Sequence, residues 1–224
     1  DRNVDGHVKR TAQRPLATGA IPAQHALWLF LGLITFAGLL ILFLNRATQL
    51  LAVGGLALAV LYPFMKRWTH LPQVVLGAAF SWGIPMAWSA HQANAPAEAW
   101  LMFISSLLWI VAYDTEYAMV DRDDDLKIGV KSTAILFGDL DRLMIGILQA
   151  SALLGFLLLG MALSYKHLYY VGLTLMASLF IYQGWLIRDR QRDACFEAFR
   201  NNIWVGVCLL LGVLLELLIG SRSL

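Results

Sequence analysis

Charge is what this 224-residue chain has least of: 17 Lys and Arg and 15 Asp and Glu make up 14% of it, against 59% hydrophobic residues. An ordinary soluble domain carries about a quarter charged residues, so that class is excluded as the starting point. A mean hydropathy of +0.65 points instead to an integral helical membrane protein. Cysteine is nearly as scarce. Cys195 and Cys208 have neither metal nor redox spacing and read as structural thiols near the last apolar stretch. The five histidines show no ligand spacing. A Gly-rich phosphate loop, an internal repeat and a basic–aromatic pattern for nucleic acid are all missing, so nucleic acid is not an expected partner. No cleavable signal peptide is visible. The chain opens on Asp1 in a polar stretch, and we expect it to be a piece of a longer protein.

What is present is a series of apolar stretches long enough to cross about 30 Å of hydrocarbon. They fall near 25–44, 48–65, 72–90, 99–120, 140–164, 168–187 and 199–219, seven crossings with short connections. The expected fold is all-α, a polytopic transmembrane bundle in one domain over 1–224. Orientation follows from the cations. Arg2, Lys9, Arg10, Arg14, Lys66, Arg67, Arg122, Lys127, Lys131, Arg142, Arg188, Arg190, Arg192 and Arg200 gather on one side, and only Arg46, Lys166 and Arg222 on the other. The rich side is read as cytoplasmic. Gly54-Gly55 and Gly77-Ala78-Ala79 read as small residues that let helices approach, most tryptophans as interfacial anchors, and Glu216 as snorkelling or helix-paired.

The chemistry concentrates in 113–133, YDTEYAMVDRDDDLKIGVKST. On one helix over 99–125, Asp114, Asp121 and Asp125 lie within roughly 20° of a single line, with Tyr117 beside it, Asp124 off to one side and Asp123 opposite. Asp114 sits about 10 Å deeper than Asp121, inside the apolar stretch. A carboxylate at that depth is costly, and stacked carboxylates repel unless a cation neutralises them. Asp1 and Asp5 form a second acidic pair at i, i+4 on the same side, and the turn Tyr62-Pro63-Phe64-Met65-Lys66-Arg67 places two cations there. Aspartates flanked by Lys and Arg suit a magnesium-bridged polyphosphate, since magnesium takes oxygen ligands from one or two carboxylates and from substrate phosphates. Arg and Lys neutralise the remaining phosphate oxygens. The rival reading is a cation or solute transporter. It is weakened because the acidic clusters all lie at one surface.

Three segments carry a resemblance: DRNVDGHVKRTAQRPLATGAI, YPFMKRWTHLPQVVLGAAFSWGIPMAW and WIVAYDTEYAMVDRDDDLKIGVKSTAILFG. They are similar to the UbiA superfamily of intramembrane aromatic prenyltransferases. The resemblance implies a nine-helix fold of which seven helices are present here. Asp1, Arg2 and Asp5 match the second half of the family's first motif, N-D-x-x-D-R-x-x-D, and Asp121 and Asp125 fall on the second motif, with Asp114, Tyr117 and Asp124 around them. By that resemblance Asp1, Asp5, Asp121 and Asp125 would be the catalytic residues that hold Mg2+ and a polyprenyl diphosphate. Arg2, Lys66, Arg67, Tyr117, Lys127 and Lys131 would bind the diphosphate or the acceptor. The implied acceptor is 4-hydroxybenzoate, with a naphthoate or haem precursor as the alternative, and the implied setting is the bacterial inner membrane with the site facing the cytoplasm.

Overall fold

The computed structural model describes residue 6 and residues 11–219, and among these every regular element is helical. Asp1, Arg2, Asp5, Lys9 and Arg10 lie outside the described residues. Turns over 11–22 lead into α1 (Ala23–Ile41), followed by α2 (Arg46–Trp68), α3 (Pro72–Ser81), α4 (Gly83–Gln92) and the long α5 (Ala97–Ile128). Then come the short α6 (Thr133–Phe137), α7 (Asp141–Ala162), α8 (His167–Leu186) and α9 (Arg192–Ile219).

Local chemistry sets most of these boundaries. Asn45 caps α2: its Oδ1 accepts the Thr48 N–H at 3.0 Å, and its Nδ2 donates to the Ser89 carbonyl at 2.7 Å, fastening the start of α2 to the end of α4. Pro72 opens α3, where a missing N–H costs nothing. Gly129, at φ 72°, closes α5 by donating its N–H back to the Asp125 carbonyl. The start of α8 is capped from another helix. Glu216 on α9 accepts the N–H groups of Leu168 and Tyr169 at 3.1 and 3.4 Å, which gives that carboxylate its partners.

Among the described residues, six helical stretches are long and apolar enough to cross a membrane: α1, α2, α5, the run 133–162, the run 167–189 that contains α8, and α9. The stretch 72–90 differs from a single rod. It folds as two ten-residue helices that meet at Trp82. Pro85 explains the break, since its ring removes one helical N–H and crowds the carbonyl of Ser81. The Trp82 indole donates to the Leu51 carbonyl at 2.7 Å and lies over Gly54 and Gly55, where an added Cβ would meet ring atoms at 2.7 and 2.9 Å. Those glycines therefore make room for an indole rather than for a helix backbone. Close helix approach occurs at Gly77, where a Cβ would stand 3.1 Å from the Leu107 carbonyl of α5, and between α8 and α9, where a Cβ on Gly172 would stand 2.8 Å from the Cys208 carbonyl.

Among the described residues the molecule is an all-helical bundle of those six stretches and the broken pair α3–α4, folded up and down. Their apolar faces bury two clusters. One lies toward the end where α5 finishes, around Ala112, Met119, Ile145, Ile187 and Ala198. The other lies toward the opposite end, around Phe156, Tyr169, Met176, Phe180 and Val205. Cys195 and Cys208 are free thiols, and Cys195 is buried in the first cluster. The up-and-down order returns the ends of α2, α5 and α8 and the starts of α3, α7 and α9 to one face.

Candidate active site

Helix α5 runs unbroken from Ala97 to Ile128, so Asp114, Asp121 and Asp125 do share one of its faces. Asp121 is buried, Asp114 and Asp125 are half-buried, and Asp123 points outward. The facing wall is the last turn of α2, which carries Lys66 and Arg67. The Lys66 ammonium acts electrostatically on Asp114. Tyr62, one turn before Lys66, lies within electrostatic reach of Asp114, Tyr117 and Arg14. After α5 the chain folds back against α2: the Lys131 N–H donates to the Lys66 carbonyl at 3.2 Å, and its Nζ approaches the Trp68 carbonyl at 3.4 Å. Gln73 and Thr115 secure this return, since Gln73 Oε1 accepts the Thr133 N–H at 3.0 Å and the Thr115 and Thr133 hydroxyls pair at 2.7 Å.

Lys66 and Lys131 thus stand beside Asp114 and Tyr117, with Asp121 and Asp125 further along the same face of α5 and Arg67 exposed at the end of α2. Tyr62 and Arg14 join them without having been singled out from the sequence. The available signal for Tyr62 was its i, i+4 spacing to Lys66. Asp124 and Lys127 lie off one flank of that face. Asp124 is 6% exposed, and its carboxylate lies 3.2 Å from Arg192 at the start of α9 and 3.6 Å from Lys127. Asp1, Arg2 and Asp5, the expected second acidic pair, fall outside the described residues.

Two polar networks missed in the sequence support this end of α5 from behind. Asp141 is fully buried and receives Arg122 at 3.2 Å, Arg190 at 2.8 Å and the Arg142 N–H at 2.7 Å. Arg190 also donates to the Asp139 carbonyl, and the hydrogen bond to Asp141 raises its guanidinium above the ordinary range. Nothing local in the sequence marks this pairing, whose partners lie 49 positions apart. Deeper in the bundle, Glu116 is fully buried and accepts from Asn202 at 3.0 Å and Gln149 at 3.3 Å. Gln149 also donates to Gln183, Gln183 to Asn201, and the Trp109 indole to Asn202. This belt joins α5, α7, α8 and α9 through neutral amides. An acid within an apolar helix was the signal for Glu116, hidden because it points away from the aspartate line. Along α5 the Trp109 ring meets Tyr113, and Tyr113 and Tyr117 both meet Phe199 of α9, with Tyr117 and Phe199 centroids 4.7 Å apart, which makes a continuous aromatic wall.

Family resemblance implies magnesium, and the donor set accommodates it. Asp121 and Asp125 are one turn apart on a half-buried face and offer oxygen ligands only, which magnesium prefers, while Lys66 and Arg67 opposite suit phosphate oxygens. Among the described residues no three His, Cys, Asp or Glu side chains gather into a cage of their own.

A model of the UbiA prenyltransferase family matches residues 1–214. The chain is 57% identical over 217 residues to a 4-hydroxybenzoate octaprenyltransferase of Chromohalobacter salexigens, covering 97% of this chain and 73% of that relative. It is 55% identical over 215 residues to the Coxiella burnetii protein of the same name, covering 96% and 75%. Among solved structures, the apo form of a UbiA homologue from Aeropyrum pernix K1 superposes with a TM-score of 0.85 at 26% identity, covering 97% of this chain and 82% of that one. With the helical bundle, the acidic face of α5 and these matches together, the chain belongs to the UbiA prenyltransferase family and is a multi-pass membrane enzyme.

Proposed function

We propose that this protein transfers a polyprenyl group, octaprenyl by the names of its relatives, from its diphosphate to the carbon ortho to the hydroxyl of 4-hydroxybenzoate, in ubiquinone biosynthesis. The observation that carries the reading is the meeting of Asp114 and Tyr117 on α5 with Lys66 and Tyr62 on α2 at the polar mouth of an apolar bundle. Residues 1–224 act as one transmembrane domain of the bacterial inner membrane. The fourteen-to-three bias of cations turns the site toward the cytoplasm.

Asp121 and Asp125, with Asp1 and Asp5, would hold Mg2+. Bound there, the ion would neutralise charge on the departing diphosphate. Lys66, Arg67 and Lys131 place cations beside the same mouth and hold phosphate or the acceptor carboxylate. The hydrocarbon tail lies along the aromatic wall of Trp109, Tyr113, Tyr117 and Phe199, where exclusion of water protects an allylic cation from capture as an alcohol. Ring attack on that cation forms the carbon–carbon bond, and a base must then accept the ring proton. Asp121 and its neighbours are the carboxylates at hand.

The direct experiment supplies a radiolabelled polyprenyl diphosphate and 4-hydroxybenzoate, with magnesium, to membranes bearing the complete protein. Labelled prenyl-hydroxybenzoate is the expected product. Label appearing only with a naphthoate or a haem precursor would replace the acceptor, and no transfer to any of the three acceptors would return the protein to the transporter reading.

A further inference from the structure

A groove lies between α7 and α8 on the outer surface of the bundle, at the same end as the aspartate face. It encloses about 330 Å³ and is lined by Arg142, Ile145, Gly146, Gln149, Gly184 and Ile187. Gly146 and Gly184 open it: a Cβ added at either would meet no atom within 4 Å. Leu143, Ile147, Ile181 and Trp185 around it are exposed, as befits a surface facing acyl chains. Gln149 forms the floor, with its amide turned inward to Glu116 and Gln183, so the groove is separated from the α5 cleft by the polar belt.

The mouth of the groove is cationic. Arg142 donates a hydrogen bond to the Arg188 carbonyl, which ties the start of α7 to the end of α8. The Arg188 guanidinium stacks 4.3 Å above the Trp185 ring, where an interfacial tryptophan is at home. Asp189, 3.1 Å from Arg188, is exposed and forms a surface pair of small worth. Two arginines at the headgroup level over an apolar, glycine-opened furrow are complementary to one kind of molecule: an anion with an acyl chain attached.

We infer that the α7–α8 groove is a binding site for an anionic phospholipid, with its phosphate on Arg142 and Arg188 and an acyl chain laid over Gly146 and Gly184. The site is distinct from the prenyl cleft. Its occupant seals the furrow above Gln149 and steadies the α7–α8 pair on which Asp141 and the Glu116 belt depend.

The test uses the complete protein in nanodiscs of phosphatidylcholine with and without phosphatidylglycerol, released for native mass spectrometry. Phosphatidylglycerol should be retained in preference to phosphatidylcholine. The pair Arg142→Ala/Arg188→Ala should lower that retention by about thirtyfold, the scale set by two interfacial cations. Gly146→Leu/Gly184→Leu, which fills open space, should lower it as much while the melting temperature in lipid-free detergent stays put. Arg142→Lys/Arg188→Lys guards against misfolding in the alanine pair and should keep the lipid. Equal retention of both lipids by the wild type, retention unaltered in the alanine and leucine pairs, or displacement of the bound lipid by geranyl diphosphate would each overturn the assignment.

Discussion

At the scale of single residues, function turns on side chains that a lipid environment makes costly. Asp121 is buried and Asp125 half-buried one turn further on, and these are the two carboxylates proposed to hold the metal. Asp121→Asn or Asp125→Asn in the complete protein is expected to reduce prenyl transfer by about a hundredfold or more, since metal stabilisation of a leaving group is worth several kcal/mol. Membrane insertion should be unchanged, and most of the activity surviving in both variants would remove the pair from the metal site. Arg67 is exposed at the end of α2, so Arg67→Ala is expected to act on substrate demand. The apparent KM for diphosphate or acceptor should rise with kcat less affected, and unaltered kinetics for both substrates would reject that role. Glu116 is a different case, because only amide donors face it. Glu116→Gln should be tolerated, as Gln149, Gln183 and Asn201 can reverse their amides in sequence to accept a new donor. Glu116→Leu removes one acceptor each from Asn202 and Gln149, which keep the Ala198 and Gln183 oxygens, and should cost about 1–3 kcal/mol, read as a fall in melting temperature in detergent.

At the scale of elements, α5 has two working sides at its acidic end. One presents Asp114, Asp121 and Asp125 to the cleft, and the other is fastened by ion pairs. Arg192 reaches Asp124 across from the first residue of α9, while Asp141 binds Arg122 of α5 and Arg190 of the preceding turn. Removing the acid leaves two arginines facing each other over a buried site. Asp141→Ala is therefore expected to destabilise the protein by about 3 kcal/mol, near the low end for a broken buried pair because both guanidinium groups retain some water contact. Thermal unfolding in detergent measures this, and a shift indistinguishable from zero would show that the pairs are incidental. Reversing the other contact, Asp124→Arg with Arg192→Asp, should restore stability lost in either single variant.

At the scale of the molecule, the α-helical rods alternate so that the cation-rich turns all arrive at one end. Single cysteines placed at Lys127 and Lys166, in a background with Cys195 and Cys208 replaced, should label from opposite faces of the membrane. Lys127 should react only from the cytoplasmic side, and labelling of both positions from one side would break the topology. The alternation also brings three chain segments distant in sequence, around Arg14, Tyr62 to Lys66 and Asp114 to Asp125, to a common mouth. A cleft at the polar edge of an apolar bundle lets a charged head and a long hydrocarbon tail share one protein without either being placed in the wrong solvent.

The sequence alone determined the membrane class, the helical architecture and the face of α5 on which Asp114, Asp121 and Asp125 stand. Apolar length and helical period are properties of neighbouring residues, and a motif of carboxylates is legible wherever its spacing is regular. Only the tertiary structure decided that Pro85 and the Trp82 indole break the 72–90 stretch in two, that Glu216 caps a different helix, and that Asp124 belongs to Arg192. It also decided that Glu116 and Asp141 are buried partners of residues far along the chain. Hydrogen bonds and ion pairs between helices depend on which faces meet. No single segment encodes that, because it follows from packing all the helices at once.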